Sequence, residues 1–219
     1  TLFKQLCHGV NWFFRKKGPA GSGYSQAVAF VKTEEELLRP DLQLTLLPVS
    51  VGYENKKKHI DVKRNMIKVI INQCRPTGRG RLELCPNNPK NPPLIFPELL
   101  GGKETIMVMT KGIEIVRKIF SADVIGAHVV EEIAPGNLFK AEDDLEVWLR
   151  QTTVDTVHPS GTCKMGQDDL SVVDERLKVR GVKNLRVADA SIMPTITSGN
   201  TNAPTIMIGE KASAMILQK

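Results

Sequence analysis

The side chains best suited to chemistry lie in two polar segments in the last third of the chain. Residues 158–166 begin with His158, and residues 198–205 carry the amide side chains of Asn200 and Asn202. Imidazole accepts and returns protons near neutral pH because its unperturbed pKa is about 6.5. A carboxamide donates and accepts hydrogen bonds but does not titrate. We therefore expect the two segments to meet at one site, where His158 transfers a proton beside an amide.

The sequence between these segments predicts a connection to a cofactor. Residues 184–191 form a short apolar stretch that ends in a carboxylate, Asp189, and small residues, which predicts a buried strand. Ligands often bind at the ends of strands of this kind. A final helix is expected to begin near Ala203 and Pro204, because proline is tolerated in the first turn of a helix.

The rest of the chain predicts the elements that hold this site. Apolar residues recur at helical spacing in three further segments: residues 2–15, 104–120 and 143–151. Alternating or β-branched residues predict four strands: residues 25–31, 41–48, 67–72 and 81–85. The last two strands are expected to pair with each other across the turn at residues 75–80, and the proline-rich residues 86–97 are expected to form an extended loop.

The order of these elements predicts the fold class. Strands come first, with a few helices interspersed and no regular alternation, which favours an α+β fold with an antiparallel sheet and flanking helices over a doubly wound sheet. The strand, loop and helix at the end of the chain would need strands from elsewhere to complete their sheet. Residues 50–66 show no pattern that identifies a substrate pocket.

Length and charge limit the functions that the chain can have. A chain of 219 residues is enough for one large domain or two small ones with a hydrophobic core. Much of the net charge of +6 comes from two short basic runs, residues 15–17 and 56–58. Nucleic-acid-binding proteins more often carry a continuous basic face with interleaved aromatic residues. We therefore expect no nucleic-acid partner.

The cysteines and the apolar segments argue against two further kinds of site. The four cysteines have no metal-ligand spacing, so we expect no metal site. Cys74 and Cys85 either bridge a hairpin or, as we favour, are free buried thiols. No stretch reaches the length of a membrane span, and the first residues lack a signal-peptide pattern, which is typical of sequence from within a longer protein.

The chain also resembles a known family. Its carboxyl-terminal part closely resembles the signature of the glucose-methanol-choline (GMC) oxidoreductases in residues 158–166, 173–191, 194–195 and 199–211. Weaker matches lie upstream, in residues 39–43, 75–80 and 92–95. The G-x-G-x-x-G fingerprint of the family's nucleotide-binding fold is absent, since Gly21-Ser22-Gly23 and Gly78-Arg79-Gly80 do not complete it.

The resemblance implies a division of the chain and a missing partner. Residues 1–150 would form a substrate-binding domain, and residues 151–219 a catalytic segment that contacts FAD and completes a separate FAD-binding fold. An amino-terminal FAD-binding portion would supply the rest of that fold. The resemblance further implies a small alcohol as substrate and oxygen or a quinone as electron acceptor, with the glucose dehydrogenase and choline dehydrogenase branches most similar.

The resemblance also assigns roles to the site residues. His158 would accept the proton of the substrate hydroxyl while a hydride leaves the carbinol carbon for flavin N5. Asn200 stands where family members have histidine or asparagine, and it would position the substrate oxygen. The cofactor-contacting residues would be Asp189 and Ala190, near the ribityl or pyrophosphate portion, and Thr201, Asn202, Ala203 and Pro204, along the isoalloxazine ring.

Each of these assignments has an alternative. His158 would otherwise be a structural histidine, Asn200 and Asn202 would be helix caps, with Asn202 the better candidate, and Asp189 would cap a turn. For the chain as a whole, the alternative is a truncated, non-catalytic relative that acts as a binding or interaction module. A lyase that acts on a cyanohydrin is a third hypothesis, because that activity also occurs in the family.

Overall fold

A computed structural model of the chain describes residues 2–18, 21–23, 25–48, 51–54, 57–60, 66–85, 88, 90–136, 138–139 and 141–217. Its helices are α1 (Leu2–Arg15), α2 (Lys103–Phe120), α3 (Asp123–Gly126), α4 (Glu142–Thr152) and α5 (Asn202–Ile216). Its strands are β1 (Ala27–Val31), β2 (Leu42–Leu47), β3 (Val51–Glu54), β4 (Lys57–Ile60), β5 (Lys68–Gln73), β6 (Arg81–Glu83) and β7 (Leu94–Phe96). The mixture of helices and antiparallel strands confirms the predicted α+β class.

The sheet that supports the site is antiparallel and has the order β1-β2-β5. Side chains on a strand alternate between the two faces, so Leu42 and Leu44 of β2 lie on one face and Gln43 lies on the other. Helix α2 packs on the leucine face at Gly112, where an added Cβ would lie 2.7 Å from Cγ2 of Ile71 and 2.9 Å from Cδ1 of Leu42. Glycine at this position lets the helix approach the sheet closely. The opposite face, with Gln43, is free to meet the carboxyl-terminal segment.

Most of the buried apolar residues outside the sheet form two clusters in the described part of the chain. One joins α2 to α4 and contains Leu100, Ile106, Ile113, Leu145 and Leu149. The other packs α5 against the irregular residues before it and contains Val173, Leu177, Ile192, Met193, Ile208 and Ala212. In the sequence, one cluster precedes residue 150 and the other follows it. The division of the chain into two parts at that residue stays a prediction.

The pairing predicted for residues 67–72 with 81–85 is wrong. Strand β5 pairs with β2, placing Ile71 opposite Leu44, whereas β6 pairs with β7 from the proline-rich segment. Strand β5 has six residues, and β2 offers it an apolar partner of the same length. The exposed strand β6 has three residues and pairs with β7, a three-residue segment without proline. Strands β3 and β4 pair with each other antiparallel and lie within residues 50–66, for which the sequence predicted no element.

The strand predicted within residues 184–191 is also wrong. These residues form turns, one isolated bridge between Lys178 and Arg186, and a 3₁₀ turn at Ala190–Ile192. Two nearby residues, Leu177 (φ 64°) and Asn184 (φ 59°), have left-handed backbones that interrupt an extended chain. The apolar residues are still used, but they pack around α5 from irregular backbone.

The described residues bear on several other predictions. The thiols of Cys74 and Cys85 are free, as favoured; Cys74 is buried and Cys85 is half-buried. Among the described residues, no group of histidine, cysteine or acidic side chains is arranged to bind a metal ion. In the same part of the chain, none of the helices combines the length and apolarity needed to cross a bilayer.

Candidate active site

A strained turn after α4 presents His158. Val157, the residue before it, has φ 59°, a left-handed conformation that costs a β-branched residue about 1–2 kcal/mol. Its side chain is 81% exposed, so packing does not impose this conformation. The Val157 N–H donates to Oδ1 of Asp155 at 2.7 Å, which closes the turn. The turn directs the imidazole of His158 toward the start of α5.

The segment that follows His158 is bound to the 3₁₀ turn. The Cys163 N–H donates to the Ser191 carbonyl at 2.9 Å, and the Met165 N–H donates to the Ile192 carbonyl at 2.8 Å. Gly161 (φ 87°) adopts a conformation that suits glycine, and a Cβ there would lie 3.2 Å from the Met193 carbonyl oxygen. The predicted proton-transfer segment and the turn that carries Asp189 and Ala190 therefore form one unit.

Both ring nitrogens of His158 are engaged by residues from the second polar segment. Nε2 lies 2.7 Å from Nδ2 of Asn200, and Nδ1 lies 3.0 Å from Oγ1 of Thr201. Thr201 is buried, His158 is half-buried and Asn200 is exposed. The structure thus brings together the two segments that the sequence expected to meet, and two contacts fix the plane of the imidazole.

A glutamine from the sheet completes this group. Gln43 on β2 is 7% exposed, and its Nε2 lies 3.3 Å from Oδ1 of Asn200 and 3.2 Å from Oγ1 of Thr45. Gln43 was not predicted as a site residue from the sequence. The available signal was a polar side chain within the apolar strand Leu42–Leu47, because a buried amide requires hydrogen-bond partners.

The loop before Asn200 is also anchored to the sheet side of the molecule. The guanidinium of Arg75, just after β5, donates from Nη1 to Oγ of Ser198 and from Nη2 to the Pro40 carbonyl, both at 2.9 Å. Through Arg75, which follows β5, these bonds join the loop to Pro40, which precedes β2. They restrict the position from which the Asn200 amide reaches His158.

The predicted cofactor-contacting residues lie around the 3₁₀ turn and the first turn of α5. Hydrogen bonds from the Ser191 hydroxyl and backbone N–H hold the pKa of Asp189 below its usual value, and the N–H bond to Oδ1 is 2.8 Å. Asp189 therefore caps the turn, as its alternative assignment expected. Ala190 and Pro204 are half-buried, whereas Asn202 and Ala203 are exposed.

The prediction that Asn202 caps the last helix is wrong. The Thr205 N–H donates to the Thr201 carbonyl at 3.0 Å, so Thr201 is the cap and Asn202 is the first helical residue. The Thr201 side chain contacts His158 and, within the described part of the chain, makes no capping hydrogen bond to α5. The amino end of α5 therefore keeps its backbone N–H groups available to another acceptor.

Comparisons with known proteins place the chain in a family. A family model described as GMC oxidoreductase matches residues 76–209, which include both polar segments and the 3₁₀ turn. An alcohol dehydrogenase [acceptor] from Pseudomonas putida is 40% identical over 209 residues, covering 95% of this chain and 37% of the relative. An oxygen-dependent choline dehydrogenase from Pseudomonas fluorescens is 35% identical over 214 residues, covering 98% of this chain and 37% of the relative.

The fold is also found in solved structures. A formate oxidase from Aspergillus oryzae, solved to follow the effect of a mutation on FAD modification, matches with a TM-score of 0.78 and 23% identity, covering 97% of this chain and 41% of that chain. The chain spans a little over a third of the length of the curated relatives named above. The family model covers more than half of the chain, and the similarity to the curated relatives extends over nearly all of it. The chain therefore belongs to the GMC oxidoreductase family.

Proposed function

We propose that this chain is the substrate-binding and catalytic part of an FAD-dependent enzyme that oxidises an alcohol. In this proposal His158 is the base that takes the hydroxyl proton, and Asn200 donates a hydrogen bond to the substrate oxygen. The observation that carries the proposal is the 2.7 Å contact between Nε2 of His158 and Nδ2 of Asn200. Family membership and the names of the relatives, which are alcohol and choline dehydrogenases, support the reaction type.

The two side chains are suited to activate a hydroxyl group together. Nδ1 of His158 contacts the buried Thr201, whereas Nε2 contacts the exposed Asn200, so Nε2 is the nitrogen that a substrate can reach. An alcohol oxygen that accepts from the Asn200 amide lies within reach of Nε2, and its proton then replaces the amide proton at that nitrogen. A positioned base of this kind accelerates the reaction by roughly 10²–10⁴-fold. FAD, when bound, takes the hydride that leaves the carbinol carbon.

The amino end of α5 fits a flavin. Helix α5 has 15 residues and begins without a side-chain cap from Thr201, so the partial positive charge of its first turn favours an anionic group. Its first residues, Asn202, Ala203 and Pro204, have short side chains, which leave room for a flat ring. We include these residues with Thr201 in the cofactor contact.

The 3₁₀ turn fits the polar part of the same cofactor. Asp189 is exposed and its carboxylate is kept ionised by its hydrogen bonds, which suits the hydroxyl groups of a ribityl chain. Ala190 beside it is small and half-buried, so a chain of polar atoms can pass close to the backbone. We assign both residues to the cofactor contact.

The sheet face around Gln43 provides a surface for the rest of the substrate. Phe30 on β1 pairs with Gln43, and Val28 pairs with Thr45, so these side chains share one face of the sheet. Phe30 is 50% exposed and Val28 is 51% exposed. An exposed aromatic ring contacts apolar chains and also binds quaternary ammonium groups through cation–π attraction. The proposal therefore covers apolar primary alcohols and choline-like alcohols.

The proposal includes the division of the chain and a second portion. Residues 1–150 form the substrate-binding domain and residues 151–219 form the catalytic segment, a division supported by the two separate apolar clusters. The greater length of the relatives supports an amino-terminal FAD-binding portion that completes the flavin site. Oxygen or a quinone then accepts the electrons.

The test uses the complete enzyme, in which this chain is joined to its amino-terminal portion. We expect the purified protein to be yellow and its flavin absorbance to bleach without oxygen when a primary alcohol or choline is added. A colourless protein would support the non-catalytic alternative. A yellow protein that consumes a cyanohydrin without any electron acceptor, and is not bleached by alcohols, would support the lyase alternative.

A further inference from the structure

Four side chains near the site form a continuous line of hydrogen bonds. Gln43 contacts Asn200 at 3.3 Å, Asn200 contacts Nε2 of His158 at 2.7 Å, and Nδ1 of His158 contacts Thr201 at 3.0 Å. Every member of the line except the ends must donate on one side and accept on the other. The direction of one bond therefore sets the direction of all the others.

Gln43 sets the direction from the sheet. Its Nε2 carries two protons and no lone pair for accepting, and two acceptor oxygens lie within reach, Oγ1 of Thr45 and Oδ1 of Asn200. Because Gln43 is 7% exposed, an amide proton without a protein partner there would be costly. The buried amide therefore directs one proton to each oxygen.

The direction is then passed to the histidine. Asn200 uses Oδ1 to accept from Gln43, so its Nδ2 faces His158 and donates to Nε2. Nε2 must present a lone pair, and the ring proton must lie on Nδ1, from which it is donated to Thr201. We propose that Gln43 is a positioning residue that fixes the tautomer of His158 and keeps Nε2 as the unprotonated nitrogen.

The consequence for catalysis rests on the proposed function, whereas the tautomer itself does not. If Nε2 is the base, its lone pair has to be present before the alcohol binds. A reversed line of hydrogen bonds would place the proton on Nε2 and block the base. Gln43 would thus act on the reaction through Asn200 and His158, without touching substrate.

Two substitutions of Gln43 separate the effect of hydrogen-bond direction from the effect of side-chain shape. In Gln43→Glu, studied at a pH high enough to ionise this buried side chain, the carboxylate only accepts, so it would receive a bond from Nδ2 of Asn200 and turn Oδ1 toward His158. Nε2 would then have to donate, which reverses the line. Gln43→Met has a similar length and removes the amide, so it leaves both directions open. Gln151→Glu, at an exposed position on α4, adds the same charge away from the line and serves as the matched control.

The first readout is the tautomer, measured in the complete enzyme labelled with ¹⁵N in its histidine rings. The signals of His158 are identified by their loss in His158→Gln. We expect a pyridine-like Nε2 and a pyrrole-like Nδ1 in the unsubstituted protein and in Gln151→Glu, and the opposite assignment in Gln43→Glu. A pyrrole-like Nε2 in the unsubstituted protein, or an unchanged tautomer in Gln43→Glu, would overturn the proposal. The first of these outcomes needs no substitution of Gln43, so the proposal can be tested even if Gln43→Glu fails to fold.

The second readout is the pH dependence of flavin reduction by an alcohol. We expect Gln43→Glu to lose most of the roughly 10²–10⁴-fold contribution of the base and to displace the acid limb of the profile to higher pH. Gln43→Met should lose less and keep the limb in place, and Gln151→Glu should match the unsubstituted enzyme. Equal losses in Gln43→Glu and Gln43→Met, with no displacement, would indicate a purely structural role.

The charged groups next to the line stay the same in these variants. Asp155 hydrogen-bonds the backbone before His158, and Arg75 hydrogen-bonds the loop before Asn200. The two readouts also separate the two proposals. The expected tautomer in an enzyme that does not oxidise alcohols would contradict the proposed function alone, and the wrong tautomer in an active enzyme would contradict the role of Gln43 alone.

Discussion

Substitutions at Asn200 separate hydrogen-bond donation from side-chain shape. Alanine removes the Nδ2 donor that lies 2.7 Å from Nε2 of His158. Loss of one donor to an oxygen that develops charge lowers kcat by roughly 10²–10³-fold, or about 3–4 kcal/mol. Aspartate keeps the shape and can still accept from Gln43, but it places a carboxylate oxygen against Nε2. The imidazole must then hold a proton there, so the contribution of the base, roughly 10²–10⁴-fold, is lost as well.

We therefore expect Asn200→Asp to be slower than Asn200→Ala, by about 10²-fold or more, although aspartate is the closer match in shape. The assay is anaerobic flavin reduction by saturating alcohol in the complete enzyme, with rates normalised to bound flavin. Asn91→Ala, at an exposed position between β6 and β7, is the control and should not change the rate. If Asn200→Asp retains more activity than Asn200→Ala, the directed hydrogen-bond line is refuted.

Three predictions concern the fold around the site, and each is measured by unfolding of the complete enzyme. Gly112→Ala should lower the free energy of unfolding by about 1–3 kcal/mol, because the added Cβ would overlap side chains of the sheet. Gly209→Ala is the control: its Cβ would meet open space in α5, so it should raise the free energy of unfolding by about 1 kcal/mol. Equal changes in the two variants would contradict the close packing of α2. Hydrogen bonds from the Lys164 amine and the Ser171 hydroxyl lower the pKa of Asp168 from 3.8 to about 2. The ionised Asp168 therefore stabilises the fold above pH 3.8, and this stabilisation is lost as the pH falls toward 2. The difference in free energy of unfolding between the unsubstituted protein and Asp168→Asn should disappear over the same interval. A difference that does not change with pH would contradict the hydrogen bonding assigned to Asp168. Val157→Asn should raise stability by about 1 kcal/mol, because asparagine tolerates the left-handed conformation better than valine, and a loss of stability would argue against strain at this turn.

The sequence predicted the elements whose signal is local. Helix α2 was predicted from apolar residues at helical spacing and β2 from its alternation, and both were found within one or two residues of the predicted bounds. The meeting of His158 and Asn200 was also predictable, because the two segments contain the polar side chains that a proton-transfer site requires. Their polar character is visible in the sequence without knowledge of the fold.

Features that depend on distant pairing were not predictable from local patterns. The turn at residues 75–80 indicated a hairpin, but β5 pairs with β2 because that partner offers a longer apolar strand. Gln43 was missed because its contact with Asn200 joins residues 157 positions apart and depends on which face of β2 meets the carboxyl-terminal segment. Asparagine adopts the left-handed conformation more readily than most residues, but a single asparagine such as Asn184 does not by itself predict a turn, so the apolar residues beside it resembled a strand.

The central claim is that His158 takes the proton of an alcohol hydroxyl. Its most direct test is the rate of anaerobic flavin reduction in His158→Ala, measured in the complete enzyme across a range of pH. We expect bound FAD to be retained, the rate to fall by roughly 10²–10⁴-fold, and the acid limb seen in the unsubstituted enzyme to be lost. A variant that keeps its flavin, reduces it at the original rate and keeps the same pH profile would contradict the role of His158.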